Sequence, residues 1–210
     1  MTTEAKGAVR GGGSLASSID AILTETACLE RDHLDRETTH ALDRLLSRLA
    51  SVQRYRIIRK YVTGLVVDAA CGTGFGSWIL SKCPSVQAVV GFDCDREVVG
   101  QCRHEFPECE YFTADFASPE FADALMGLDP DTIVSVETME HLEDPTAFLV
   151  AVRNCGASRF VVTFPSFETV TFNPYHVRDW TLAEMDTAME RKPAVAFVID
   201  DAVQMAVYDL

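Results

Sequence analysis

The sequence predicts an α/β protein whose central sheet is mostly parallel, with helices on both faces and an antiparallel hairpin at the C-terminus. From residue 62 onward, short apolar runs alternate with helix-like segments, which is typical of a parallel sheet. A burst of glycines follows the first apolar run, as at a tight turn between a strand and a helix. Residues 194–210 contain two β-rich runs around Asp200 and Asp201, which favours a terminal hairpin.

The individual elements follow from the positions of the apolar runs and of the residues that cap helices. Five strands are predicted before the hairpin, at 64–69, 87–92, 109–113, 131–136 and 158–164. N-cap signals precede three of the helices between them: Asp95, Ser118 followed by Pro119, and Asp144 followed by Pro145. Thr181 and Glu184 have the spacing of a capping box, which predicts a further helix over about 182–191.

The chain is expected to have three segments. Residues 1–18 are polar and rich in Gly and Ser, which predicts a flexible tail. Residues 19–60 predict an N-terminal helical extension, because apolar residues recur there with helical spacing: Leu42, Leu45, Leu46, Leu49 and Val52. Residues 61–210 contain the predicted sheet and are expected to form the functional domain.

Composition restricts the partners that the protein is expected to have. The net charge is −14, from 32 acidic and 18 basic residues, which disfavours a long nucleic acid as a partner. No apolar run is long enough for a membrane span, and the N-terminus lacks the apolar core of a secretory signal. Seven irregularly spaced cysteines favour a reduced, cytoplasmic protein. No feature indicates an oligomeric state.

The glycine-rich turn and two strand-end acids predict a nucleotide-like ligand. Residues 66–77 have the sequence VVDAACGTGFGS, in which Gly72 and Gly74 match the first two glycines of a dinucleotide-binding motif, but Ser77 stands at the third. No Gly-Lys-Ser/Thr follows, which excludes a P-loop. Asp93 ends the second strand in VVGFDCD, where a carboxylate suits two ribose hydroxyls, and Asp115 ends the third strand, where it could meet an adenine amino group.

A second group of polar residues follows the fourth strand, in the segment SVETMEHLEDP. Glu137, Glu140 and His141 have i, i+3, i+4 spacing, so they would project to one side if the chain turned helical after Val136. Two carboxylates and an imidazole suit a divalent cation. His176, in FNPYHVRDW after the fifth strand, is a candidate fourth ligand.

Together these motifs resemble those of the class I S-adenosylmethionine-dependent methyltransferases, over about residues 50–190. The resemblance implies a Rossmann-like, seven-stranded sheet, with 61–210 as the S-adenosylmethionine-binding domain. It places Asp68 and the turn glycines beside the methionine part of the cofactor, Asp93 on the ribose, and Asp115 and Phe116 around the adenine. It also assigns Ala70, Cys94 and Val136 to the cofactor site.

The segment SVQRYRIIRKYV, just before the first strand, resembles an Arg-Tyr segment of some small-molecule methyltransferases. This resemblance implies that Arg54 pairs with the methionine carboxylate and that Tyr55 covers the sulfonium. The alternative is a solvated helix face.

The Glu-x-x-Glu-His pattern resembles two kinds of methyltransferase in particular. One is the ubiquinone-pathway O-methyltransferases, and the other is the RNA 3′-end 2′-O-methyltransferases, which add a downstream His and bind Mg²⁺ or Mn²⁺. The resemblance favours O-methylation of a small-molecule acceptor, with Mg²⁺ or Mn²⁺ held by Glu137, Glu140, His141 and His176. The alternative role for His141 and His176 is catalytic and metal-free, as substrate contacts or a general base. Two alternative functions are RNA 3′-end methylation and a non-catalytic methyltransferase-fold partner subunit.

Overall fold

The computed structural model describes residues 49–210. The predicted tail, 1–18, and most of the predicted helical extension lie outside the described residues. Residues 49–58 are helical and lead into the first strand. None of the helices described is long and apolar enough to cross a membrane.

A seven-stranded sheet forms the centre of the domain and confirms the predicted fold class. Its strands are β1 (Gly64–Ala69), β2 (Val86–Asp93), β3 (Glu110–Thr113), β4 (Thr132–Val136), β5 (Arg159–Pro165), β6 (Val195–Ile199) and β7 (Val203–Asp209). Their order across the sheet is β3-β2-β1-β4-β5-β7-β6. Strands β1 to β5 are parallel to their neighbours, whereas β7 is antiparallel to both β5 and β6. The predicted terminal hairpin is therefore confirmed.

Five helices and one short 3-10 turn connect the strands. The helices are α1 (Phe75–Ser81), α2 (Arg96–Glu105), α3 (Pro119–Leu128), α4 (Thr146–Asn154) and α5 (Leu182–Met189), and the 3-10 turn is Met139–His141. The predicted side-chain caps at Asp95 and Ser118 are confirmed, as is the capping box of Thr181 and Glu184.

Two predictions about helix ends were wrong. The N-cap of α4 is Pro145, which makes no side-chain cap, and Asp144 instead accepts a hydrogen bond from the Thr146 N–H just outside the helix. Helix α5 ends at Met189 rather than at residue 191, because Glu190 adopts a left-handed conformation with φ 57°.

Helices cover both faces of the sheet, as predicted. On one face, α3, α4 and α5 pack against inward-pointing residues such as Val67 and Ala69 of β1. On the other face, the helical segment 49–58 packs with α1 and α2 against residues that include Val66. The alternation of Val66 and Val67 between the two cores is the two-residue period of a strand buried on both sides.

The sheet topology determines where a ligand can bind. Strand β1 lies between β2 and β4, so the connections from β1 and from β4 leave in opposite directions across the sheet. In open parallel sheets, ligands bind in the crevice at the carboxyl ends of the strands beside such a switch point. The glycine turn, Asp93 and the segment after Val136 all lie at this edge.

Candidate active site

The turn after β1 has the backbone geometry of a ligand-binding turn. Ala70, Gly72 and Gly74 all adopt left-handed conformations, with φ of 60°, 52° and 76°. A Cβ atom built on Gly72 would meet no atom within 4 Å, whereas one on Gly74 would lie 2.9 Å from Sγ of Cys102. The backbone at Gly72 therefore borders open space that a ligand can enter, while Gly74 is required by packing.

Asp93 joins the end of β2 to this turn. Its Oδ2 accepts a hydrogen bond from the Gly72 N–H at 2.9 Å, and its Oδ1 accepts one from the Asp95 N–H at 3.0 Å. A carboxylate can accept about four hydrogen bonds, so each oxygen retains a lone pair for a ligand. Asp93 is half-buried and the neighbouring Cys94 is exposed, both at the mouth of the crevice.

Asp68 lies beneath the turn and is fully buried. It accepts hydrogen bonds from the Ser77 hydroxyl at 2.7 Å and from the Tyr55 hydroxyl at 3.1 Å. Burial raises the pKa of Asp68 to about 6, although both hydrogen bonds oppose the shift. The ring of Tyr55 occupies the space beside Gly76, where any Cβ would collide with it. Asp68 therefore links Tyr55 and the start of α1 to the turn by hydrogen bonds. Its predicted contact with the cofactor stays a prediction.

The loop after β3 carries the two residues predicted to surround an adenine. Asp115 is exposed, and its Oδ1 accepts a hydrogen bond from the Ala117 N–H at 2.9 Å. The buried ring of Phe116 packs edge-on against Phe121 and Phe148, with ring centroids 5.0 and 5.6 Å away. A largely apolar cavity of about 680 Å³ adjoins this loop and has Asp115 in its wall.

Glu137 follows the half-buried end of β4 and breaks the helical pattern expected there. Its backbone is left-handed, with φ 51°, because both its N–H and its carboxylate bind Thr163 of β5. The Glu137 carboxylate also lies 3.7 Å from the Arg54 guanidinium. Burial raises the pKa of Glu137, and the Arg54 charge opposes this shift. Arg54 thus faces Glu137 at the edge where it was predicted to meet the cofactor carboxylate.

Three of the four predicted metal ligands converge. Within residues 49–210, Glu140, His141 and His176 each offer a ligand atom, and these atoms lie within 4.8 Å of one another. The two imidazole rings are perpendicular, with centroids 4.7 Å apart. Glu137 is not part of this cluster, because the chain forms only a single 3-10 turn after it and does not continue from Val136 as a helix. The assumption of i, i+3, i+4 helical geometry was therefore wrong.

Glu140 is the residue of this cluster that lacks a partner. Its side chain is almost completely buried, at 1% exposure, and neither carboxylate oxygen has a hydrogen-bond partner among the described residues. Burial, reinforced by the nearby Glu137 charge, raises the pKa of Glu140 to about 8. A buried carboxylate without a partner is costly unless it binds a proton or a cation.

The hydrogen bonds of the two histidines determine which ring nitrogen is free. His141 Nδ1 lies 2.9 Å from the Tyr175 carbonyl oxygen, which can only accept, so this nitrogen carries the proton. His176 Nδ1 lies 2.6 Å from the Thr169 hydroxyl oxygen, and that hydroxyl donates its own hydrogen to Asp179 at 3.0 Å. His176 Nδ1 therefore also carries a proton. When either ring is neutral, its lone pair is therefore at Nε2.

Thr163, Thr169 and Asp179 are the supporting residues that sequence reasoning missed. Asp179 accepts hydrogen bonds from the backbone N–H groups of Thr169 and Val170 as well as from the Thr169 hydroxyl. These bonds lower the pKa of Asp179 and keep it ionised. The spacing from Thr169 to His176 and Asp179 follows no regular period, so no periodic signal could have indicated the contact.

The chain was compared with known protein families and structures. Residues 66–157, which include the glycine turn, Asp93 and Glu140, match the family described as a methyltransferase domain. This region therefore resembles a methyltransferase domain. No curated protein matches the chain in sequence.

Solved structures agree with the fold of the methyltransferase domain. The PH0226 protein from Pyrococcus horikoshii OT3 superimposes with a TM-score of 0.61 at 17% identity, covering 79% of this chain and 90% of that one. A TehB-like SAM-dependent methyltransferase from Corynebacterium glutamicum gives 0.59 at 20% identity, covering 83% and 99%. The methyltransferase domain of bacterial CtHen1-C gives 0.59 at 18% identity, covering 79% and 98%. These likenesses confirm the predicted fold, and the family match over residues 66–157 agrees with the predicted enzyme class, a methyltransferase of the S-adenosylmethionine-dependent type.

Proposed function

We propose that this methyltransferase domain transfers a methyl group from S-adenosylmethionine to a hydroxyl of a small molecule, and that Glu140, His141 and His176 hold a divalent cation beside the acceptor. The observation that carries the proposal is the buried, unpartnered carboxylate of Glu140, together with the two imidazole lone pairs that converge near it. The cluster follows β4, at the same edge of the sheet as the glycine turn.

The residues around the turn fit the proposed cofactor. S-adenosylmethionine, when bound, supplies an electrophilic methyl group on its sulfonium. The open space beside Gly72 allows the cofactor to approach the backbone of the turn closely. The remaining lone pairs of Asp93 suit two ribose hydroxyls. The exposed carboxylate of Asp115, on the loop after β3, can accept a hydrogen bond from an adenine amino group. The Arg54 guanidinium can form an ion pair with the methionine carboxylate of the cofactor while it also neutralises Glu137.

The donor set of the cluster fits a hard or borderline divalent cation. One carboxylate and two imidazoles suit Mn²⁺ or Zn²⁺, and they also allow Mg²⁺ with water as further ligands. When bound, such an ion lowers the pKa of a coordinated hydroxyl. The chain contributes an ionised Glu140 and two Nε2 lone pairs whose direction is set by Tyr175 and Thr169. Glu137 lies outside this donor set, and its carboxylate pairs with Arg54 instead.

A metal-free variant of the mechanism is the second candidate. Burial and the neighbouring His141 lower the pKa of His176, so that this ring is neutral near pH 7 and can accept a proton at Nε2. In this variant Glu140 stays protonated, as its pKa of about 8 allows. His141 or His176 then removes the proton of the acceptor hydroxyl as a general base.

The charge of the protein favours a small acceptor over an RNA 3′ end. At a net charge of −14, phosphate groups are repelled unless basic residues are concentrated near the site. The likeness to the bacterial CtHen1-C domain concerns the fold. The open turn at Gly72 and the free lone pairs of Asp93 argue against a non-catalytic partner subunit, since a subunit that binds no cofactor would not need them.

The proposed function is tested by methyl transfer from radiolabelled S-adenosylmethionine to a panel of acceptors. The panel contains catechol, a naphthalenediol, adenosine and a short RNA with a free 3′ end. Each acceptor is assayed with EDTA and then with added Mn²⁺. Transfer to a small diol that requires Mn²⁺ supports the proposal, and equal transfer in both conditions assigns the metal-free mechanism. Preferred transfer to the RNA, or transfer to no acceptor, contradicts it.

A further inference from the structure

Strand β6 forms an open edge of the sheet. It is the last strand in the sheet order, and among residues 49–210 no strand pairs with its outer side. Its sequence is VAFVI, without a charge or a proline, and its register with β7 is unbroken from Val195 to Ile199. Natural sheets commonly protect an edge with charges or proline, because unpaired backbone groups invite another strand. The sequence of β6 provides neither.

The opposite edge of the sheet, β3, is better protected. This strand has four residues and begins with the exposed Glu110. The Arg103 side chain of α2 donates two hydrogen bonds to the Tyr111 carbonyl, with nitrogen–oxygen distances of 2.9 and 2.6 Å. A short length and a charge both oppose pairing with a further strand. The two edges therefore differ, and β6 is the one suited to pairing.

The hydrogen bonds of β6 identify the backbone groups at its outer edge. The Gln204 side chain of β7 donates to the carbonyls of Phe197 and Met205, at 3.1 and 2.9 Å, so the Phe197 carbonyl points toward β7. Residues along an antiparallel strand direct their N–H and C=O groups alternately to one side and the other. The backbone groups of Ala196 and Val198 therefore point to the open edge. Both residues are also exposed, Val198 by 45%.

The charges that flank β6 are arranged symmetrically about Ala196. Arg191 and Lys192 stand five and four residues before it. Asp200 and Asp201 stand four and five residues after it. If a second β6 pairs antiparallel to the first about a two-fold axis at Ala196, the basic end of each strand lies beside the acidic end of the other. Parallel pairing would instead bring like charges together, which is unfavourable.

The flanking side chains can reach such a partner. Lys192 forms an ion pair with Asp186 at 2.8 Å, but its side chain is 82% exposed and its ammonium group has further hydrogens to donate. Asp200 is exposed and accepts one hydrogen bond from the Gln53 side chain at 3.0 Å, which leaves other lone pairs on its carboxylate. Because the net charge of −14 makes two copies repel each other, they approach most easily at an uncharged strand.

We propose that β6 is a self-pairing edge, at which two copies of this chain form an antiparallel strand pair about a two-fold axis at Ala196. The Ala196 N–H of each copy then donates to the Ala196 carbonyl of the other. The two seven-stranded sheets become one continuous sheet. This assembly stops at a dimer, because each copy uses up the open edge of the other. A strand of another protein could bond the same backbone groups, but a second copy also supplies the complementary charges.

The test is sedimentation velocity of the full chain over about a hundred-fold range of concentration, in which the wild type should pass from monomer to dimer. Ala196→Glu and Ala196→Lys each place like charges directly opposite one another, so each variant should stay monomeric throughout. An equimolar mixture of the two variants should dimerise again, because opposite charges then face each other across the axis. Ala147→Glu, at an exposed alanine of α4, is the matched control and should dimerise as the wild type does.

Three outcomes would overturn the self-pairing edge, and none of them depends on the proposed function. A wild type that stays monomeric at every concentration would mean that the edge has another occupant, such as residues 1–48 or a second protein. A dimer that both Ala196 variants retain would place the interface elsewhere. A mixture that stays monomeric, like its two components, would exclude the two-fold axis at Ala196. Circular dichroism verifies that each variant is folded.

Discussion

Thr169 and His176 form a hydrogen bond in which the hydroxyl oxygen lies 2.6 Å from Nδ1 of the ring. Because this hydroxyl donates its own hydrogen to Asp179, it can only accept from His176. The bond leaves the Nε2 lone pair of His176 free to bind a cation or to accept a proton. A buried threonine thus determines the chemistry of the histidine. Two predictions concern this contact and its surroundings, and two concern the turn after β1.

Thr169→Val should weaken Mn²⁺ binding by about ten- to a hundred-fold, because it removes the group that orients His176 while keeping the side-chain shape. Affinity is measured by calorimetric titration of Mn²⁺. Thr171→Val, at an exposed threonine of the same loop, is the control and should bind Mn²⁺ as the wild type does. Equal affinity in all three proteins would remove His176 from the metal site.

Glu140→Gln should raise the melting temperature of the metal-free protein, because it replaces a buried, unpartnered carboxylate with a neutral group of the same shape. The same change should abolish the stabilisation that Mn²⁺ confers on the wild type. Thermal unfolding is measured at pH 8 with EDTA and with Mn²⁺. Glu143→Gln, at an exposed acid nearby, serves as the control. A variant that Mn²⁺ still stabilises as much as the wild type would contradict the assignment of Glu140.

Asp68 should make the folded state less stable as the pH rises. Its folded pKa of about 6 lies above that of an unfolded aspartate, so the folded state holds the proton more tightly. The contribution is complete below about pH 4 and is lost as the pH rises through about 6, amounting to about 3 kcal/mol. Urea unfolding at pH 4.5 and 7 should show a loss of stability in the wild type, and the loss should be smaller by this amount in Asp68→Asn. Asp123→Asn, at an exposed acid, should retain the wild-type dependence, and an equal dependence in Asp68→Asn would mean that other groups produce it.

Local patterns in the sequence were sufficient for most of the fold. Strand β1 has the predicted bounds because an apolar run ends directly at the glycine turn, and the caps at Asp95 and Ser118 depend only on neighbouring residues. The antiparallel hairpin was also predictable from two β-rich runs around a short polar turn. Each of these features depends on interactions within a few residues, which is the range over which a single sequence is informative.

The geometry of the site was less predictable because distant residues determine it. Thr163 of β5 holds Glu137 in a left-handed conformation, so the helix expected from the spacing of Glu137, Glu140 and His141 does not form. The partner of Asp68 is Tyr55 on a separate helical segment. The sequence thus indicated three residues that converge, Glu140, His141 and His176, but the separation of Glu137 from them required the tertiary contacts.

The most direct test of the account is whether the turn after β1 binds S-adenosylmethionine through Asp93. Calorimetric titration with S-adenosylhomocysteine should show binding to the wild type. Asp93→Ala should weaken it by about ten- to a hundred-fold, or about 1.5–3 kcal/mol, because charge-assisted hydrogen bonds to the ribose are lost.

Asp93→Asn keeps an oxygen for the Gly72 N–H, so it separates the loss of the ribose contact from a change in the conformation of the turn. Glu110→Ala, at an exposed acid at the opposite end of the neighbouring strand, should bind as the wild type does. No binding to the wild type, or equal affinity in Asp93→Ala, would contradict the account.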